Sequence, residues 1–169
     1  TVLLVTFLFF DGSVAAYASN RTTPEQISNG YSVLKLFLED QQYLTIIRRT
    51  KMVITFSTIS DNSTKLIDDI ASTSKSALEE MEKLQSVKPK IIFVEFSDNM
   101  IGKATFNSLR MTEGKEFLFD SDFEKNLLLS QLKVLRVISH LALQLEEKET
   151  NAKRKKWLNK LATRYESYY

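Results

Sequence analysis

Residues 64–87 read TKLIDDIASTSKSALEEMEKLQSV, and their spacing decides the fold. Ile67, Ile70, Ser74, Ala77, Met81 and Leu84 recur in alternating steps of three and four, which lines them along one face of an α-helix. These are heptad steps, and the small residues in the middle of the seam let a partner helix come close. That partner is expected either within the chain or on a second copy, so the Ile67–Leu84 face is also a candidate homo-oligomer contact. Before the seam, the polar run Ser60-Asp61-Asn62-Ser63 offers several N-cap residues. After it, Lys88-Pro89 ends the helix, because the residue before a proline is pushed out of the α region.

Upstream, Thr23 is the expected N-cap of another helix, with Pro24 at the first helical position, where its missing N–H costs nothing. Ile27, Tyr31, Leu34 and Leu38 form its apolar stripe, widened by Val33 and Phe37. Asn29-Gly30 weakens the first turns, so fraying before Tyr31 is expected there. The pattern continues through Leu44, Ile47 and Ile54 and stops near Ser57, with a strand over Met52 to Phe56 as the alternative.

Downstream, Ile91 to Phe96 has the composition of a strand, yet Phe93, Phe96, Met100 and Ala104 follow helical steps and no second strand is evident to pair with. A helix is the expectation, followed by a turn at Thr112-Glu113-Gly114-Lys115. Asp120-Ser121-Asp122-Phe123-Glu124 then opens the last long helix, Ser121 and Glu124 having capping-box spacing. From Leu127 to Leu145 that helix is apolar almost all round. Its polar stripe is narrow, made of Lys133, Arg136, His140, Gln144 and Glu147, which suits a central position in a bundle. After a kink near Thr150, a basic amphipathic helix is expected from about residue 151. On it Trp157, Leu161 and Tyr165 share a face opposite Lys155 and Lys156, and Tyr168 and Tyr169 are expected to fray. The expected fold is all-α: an up-and-down bundle of four to five helices, forming a single domain over residues 19–169.

Composition sharpens the functional reading by what is scarce. The 169 residues contain no Cys, one His, four Gly and two Pro, with 43% hydrophobic and 26% charged residues and a net charge of +2. Thiol catalysis, a cysteine zinc site and a multi-histidine site are excluded. Gly12, Gly30, Gly102 and Gly114 stand too far apart for a phosphate loop.

The N-terminus reads as a targeting segment. Val2 to Phe10 is apolar except for Thr6, and Ala16-Tyr17-Ala18 fits a signal-peptidase site with cleavage before Ser19. The run is about half the ~20 residues of a membrane span. Residues 1–18 are therefore expected to be a signal peptide, incomplete because the chain opens at Thr1 without a Met or a basic region. Sequons at Asn20-Arg21-Thr22 and Asn62-Ser63-Thr64 agree with a secreted glycoprotein and place both acceptors in loops.

Catalytic candidates are few. His140 has no sequence-adjacent carboxylate to orient it and reads as a solvated residue. Asp120-x-Asp122-x-Glu124 opens like a calcium loop, but the turn position falls at Lys125 and the closing acid at Gln131, so capping explains these acids better. Asp68-Asp69, Glu79-Glu80-Glu82 and Glu146-Glu147-Glu149 read as solvated helix faces. No Glu stands three residues before His140, as a di-metal bundle would need.

The sharpest feature is Lys153-Arg154-Lys155-Lys156 beside Trp157, a candidate anion- or partner-binding site. As a merely solubilising patch it would be balanced in part by Glu146, Glu147, Glu149 and Glu166. The expected function is a secreted, non-catalytic binding protein without metal or cofactor. It would engage a partner protein, an anionic glycan or a membrane surface rather than nucleic acid. The alternative is a carrier of a lipid or other small apolar ligand in a bundle cavity, suggested by eleven Phe and six Tyr.

Overall fold

Thr23 starts the first helix as the sequence requires. Its side chain accepts from the Gln26 N–H, and the Gln26 side chain accepts in turn from the Thr23 N–H, which closes a capping box ahead of Pro24. The structure, a computed structural model, describes residues 23–55, 58–94 and 122–169. Within them the chain is mostly helical and forms one bundle. The helices are α1 (Pro24–Gln42), α2 (Leu44–Thr55), α3 (Asp61–Gln85), α4 (Phe123–Lys148) and α5 (Ala152–Glu166). The residue 1–18 segment, the Asn20 sequon, Ser121 and everything from residue 95 to 120 lie outside the described residues.

The seam of α3 is buried along its whole length, with Ile67, Ile70 and Ser74 fully covered. Its partners are inside the chain. α1 packs along α3 through Tyr31, Leu34 and Leu38, and α4 and α5 complete the core with Leu127, Leu135, Ile138, Leu158 and Tyr165. The face from Ile67 to Leu84 is thus covered by helices of the same chain. Ser74 shows why a small residue stands mid-seam: it leaves room for the Tyr165 ring of α5. Its hydroxyl pairs with the Tyr165 hydroxyl at 2.6 Å while donating to the Ile70 carbonyl at 2.7 Å.

Contacts at the helix ends give the directions. The start of α3 meets the start of α4, where Ser60 and Ser63 bond to Glu124. Beyond its other end, Val87 meets Arg154 just after α4. The two helices therefore run parallel, while α1 and α5 run against them.

Four local expectations are revised. The first periodic stretch is two helices, broken at Tyr43, whose N–H bonds back to Asp40 and Gln41 while α2 starts afresh. Gly30 does not fray α1. It lies in the helix against α4, where an added Cβ would come within 2.5 Å of Leu145 Cδ2, so its missing side chain permits close approach. Residues 91–94 are neither helix nor strand. They run along α1, with Ile91 buried and the Ile92 and Val94 N–H groups donating to the hydroxyls of Ser28 and Ser32. Backbone satisfaction by side chains replaced the ladder that had no partner strand. Finally, Tyr168 is docked rather than frayed, its hydroxyl 2.7 Å from that of Thr73 and its ring under the Arg164 guanidinium.

The core assignment has a direct consequence. Met81→Ala, at a site 1% exposed, is expected to cost about 2–5 kcal/mol. Val53→Ala, 74% exposed, should stay within about 0.5 kcal/mol. Urea unfolding followed by circular dichroism measures both.

Candidate functional site: the basic helix and its buried anchor

Helix α5 begins at Asn151, whose side chain accepts from the N–H groups of Lys153 and Arg154 at 3.0 and 3.2 Å. This cap fixes the rotation of the helix and separates the four consecutive cations. Arg154 points inward and is 1% exposed, whereas Lys153, Lys155 and Lys156 are on the surface. Grouping Arg154 with the surface cations is therefore corrected: at about 100° per residue it falls on the face of Leu158, Leu161 and Tyr165, not on that of Lys156. Trp157 sits at the boundary, half-buried, its ring stacked on Tyr31 with centroids 6.4 Å apart.

Arg154 is held by every nitrogen of its guanidinium. Nε donates to Glu149 Oε2 at 2.7 Å and Nη2 to Glu149 Oε1 at 3.0 Å, a bidentate pair. Nη1 donates to the carbonyls of Val87 and Pro89, both at 2.7 Å, just past the end of α3. Glu149, expected on a solvated face, is instead buried. It also accepts from the Tyr31 hydroxyl at 2.7 Å and the Asn151 N–H at 2.8 Å. Desolvation pushes the Glu149 carboxyl upward. The hydrogen bonds from Arg154, the Asn151 backbone and Tyr31 outweigh it, leaving the group below the usual glutamate range. Burial raises the Tyr31 phenol, and its bond to the Glu149 carboxylate adds to that, so it stays neutral.

Sequence reasoning placed these two residues in separate surface clusters and missed the pair. A signal was present in the helix break: an acid two residues before the Asn151 cap and an arginine three after it put both side chains at one corner.

With Arg154 withdrawn, the outer face of α5 carries Lys153, Lys156 and Lys160 at i, i+3 and i+7. Among the described residues none of the three has an acidic partner within ion-pair distance. Lys155 lies beside them and approaches Glu146 of α4 at 3.8 Å. Lys155, Lys156, Asn159 and Lys160 line an open groove of about 450 Å³ with Glu146 and Ala152. A second open hollow, of about 640 Å³, mixes Ile59, Phe123 and Leu128 with Glu124 and Lys125 near the starts of α3 and α4.

Other candidates fall as follows. His140 is exposed on α4, and the Arg136 guanidinium one turn earlier lies over the Tyr169 ring at 5.1 Å. Glu124 caps the neighbouring helix. It accepts from Ser60 and Ser63 at the start of α3, and the Ser60 bond leads in holding its carboxyl low. Asn62 is exposed in the first turn of α3 rather than in a loop. Among the described residues no three acidic or histidine side chains converge on one point, and no helix is long and apolar enough to cross a membrane. No protein-family model, curated protein or solved structure matches the chain.

The buried pair yields two predictions. Arg154→Met leaves a buried carboxylate without its counter-ion and is expected to cost about 3–5 kcal/mol, while the Glu149→Leu/Arg154→Met double variant recovers part of that loss. Denaturant melts of the three proteins make the comparison. The second concerns acid. Because folding lowers the Glu149 pKa, its stabilisation is complete at neutral pH and declines as pH falls below about 4.5 toward the lower folded value. Glu149→Gln is therefore expected to be less stable at neutral pH and to converge on the wild type in acid, as thermal melts across that range would show.

Proposed function

We propose that this chain is a non-catalytic helical binding protein that engages an anionic partner through the outer face of α5. One observation carries the reading: the Asn151 cap and the inward pull on Arg154 leave Lys153, Lys156 and Lys160 aligned on a well-packed helix, with Glu146 in the groove beside them but, among the described residues, no carboxylate within ion-pair distance of any of the three. A solubilising surface in a chain of net charge +2 would be expected to intersperse its signs. Here three like charges share one stripe, which raises the local potential and steers anions.

The apolar run at Val2 to Phe10, the Ala16-Tyr17-Ala18 site and the exposed Asn62 sequon support placing this activity outside the cell, on a glycosylated chain. Secretion from eukaryotic cells, with the mature mass read before and after glycosidase treatment, tests that placement.

Retention of the whole chain on immobilised heparin, phosphatidylserine vesicles and polyglutamate tests the binding reading. The wild type is expected to be held by at least one support and released by salt. Lys153→Glu/Lys156→Glu is expected to abolish retention, and Lys65→Glu/Lys75→Glu, equal in charge and exposed on α3, to preserve it. Equal loss in both variants, or no retention on any support, would overturn the proposal.

A further inference from the structure

The three lysines form a line. From Lys153 to Lys156 to Lys160 the helix rises about 4.5 and then about 6 Å, and the three positions fall within about 60° of arc. Ala152, Asn159 and Thr163, all exposed and none bulky or acidic, flank the line on one side, and half-buried Trp157 borders it on the other. The groove beside the line holds Lys155, which lies 3.8 Å from Glu146. We propose that this face binds a linear sulfated polysaccharide lying along α5. The inference rests on the α5 face being an anion-binding surface and names its ligand class.

Three features select that class. An anionic membrane would be gripped by apolar side chains reaching between the cations, but Leu158, Leu161, Ala162 and Tyr165 are buried in the core and the half-buried Trp157 is stacked on Tyr31, which leaves only the small Ala152 fully exposed. A single-stranded nucleic acid would use exposed aromatic rings as stacking platforms, but Trp157, the aromatic ring among the lysines, is already stacked on Tyr31. Lysine ammonium groups act as compact point charges that do not demand the planar, two-oxygen fit that arginine makes with carboxylates. A sulfate ester presents three terminal oxygens, which can meet such a point charge over a wide range of approaches. Repeated sulfates along one chain match repeated cations along one helix, and Asn159 in the groove supplies a neutral donor and acceptor for sugar hydroxyls.

The test uses the full chain on immobilised heparin, on fully desulfated heparin, on phosphatidylserine vesicles and on polyglutamate. Retention on heparin is expected to be salt-sensitive and lost on the desulfated polymer. Lys153→Ser/Lys156→Ser/Lys160→Ser is expected to weaken heparin binding by roughly fivefold per lysine removed. It should also flatten the dependence on salt, since fewer counterions are released. Lys65→Ser/Lys75→Ser/Lys133→Ser, which removes the same charge from other exposed positions, is expected to bind as wild type, and circular dichroism melts of both triples establish that they fold. Equal retention on desulfated heparin or polyglutamate overturns the sulfated class while leaving the α5 face an anion site. Binding to vesicles but not heparin does the same. Failure on every support overturns both.

Discussion

A carboxylate and a guanidinium taken out of water together are costly unless every lone pair and every N–H finds a partner. The Glu149–Arg154 pair comes close to that condition, with two bonds to each carboxylate oxygen and four of the five guanidinium N–H groups engaged, through four separate parts of the chain. Tyr31 comes from α1, Glu149 and Asn151 from the α4–α5 connection, Arg154 from α5, and the Val87 and Pro89 carbonyls from the end of α3. The pair thereby fixes one end of the bundle. It sets the tight reversal between α4 and α5 and holds the exit of α3 against them. It also aligns α1 so that Tyr31 stacks on Trp157. The far end is closed by another carboxylate, Glu124, which joins the starts of α3 and α4. Two acids at opposite ends thus secure a bundle whose middle is apolar.

The same pair shapes the surface. A helix with four successive cations would ordinarily distribute them around its circumference, with no face clearly basic. Drawing Arg154 inward settles the rotation of α5, and the turn that buries Arg154 exposes the Lys153, Lys156 and Lys160 stripe. Structure and candidate function are connected here by rotation alone: about 100° per residue separates a structural arginine from its lysine neighbours.

Much of this was legible in the chain itself. The α3 seam, the Thr23-Pro24 start, the polar break before α3, the break near Thr150 and the burial of Leu161 and Tyr165 follow from periodicity and capping, which depend on neighbours within a turn or two. The legible part of the candidate site was its basic character. What could not be read was the fate of single polar residues. Glu149 looked like Glu146 and Glu147, and Arg154 looked like Lys153 and Lys155, because nothing local distinguishes a charge that meets a distant partner from one that meets water. Residues 91–94 failed for the same reason: Ser28 and Ser32, more than sixty residues earlier, satisfy their backbone.

The sequence by itself therefore determined that the described chain is mostly helical, where its helices begin and end apart from the break at Tyr43, and which faces of α3 and α5 are apolar. These are consequences of helical geometry and of the hydrophobic effect acting along one segment. Only the tertiary structure decided that α3 and α4 run parallel, that the α3 seam is covered from within the chain, and that one of four adjacent cations is a buried anchor while its neighbours remain on the surface. Those outcomes depend on which segments meet in space, and a charge leaves water only where several distant groups arrive together to replace it.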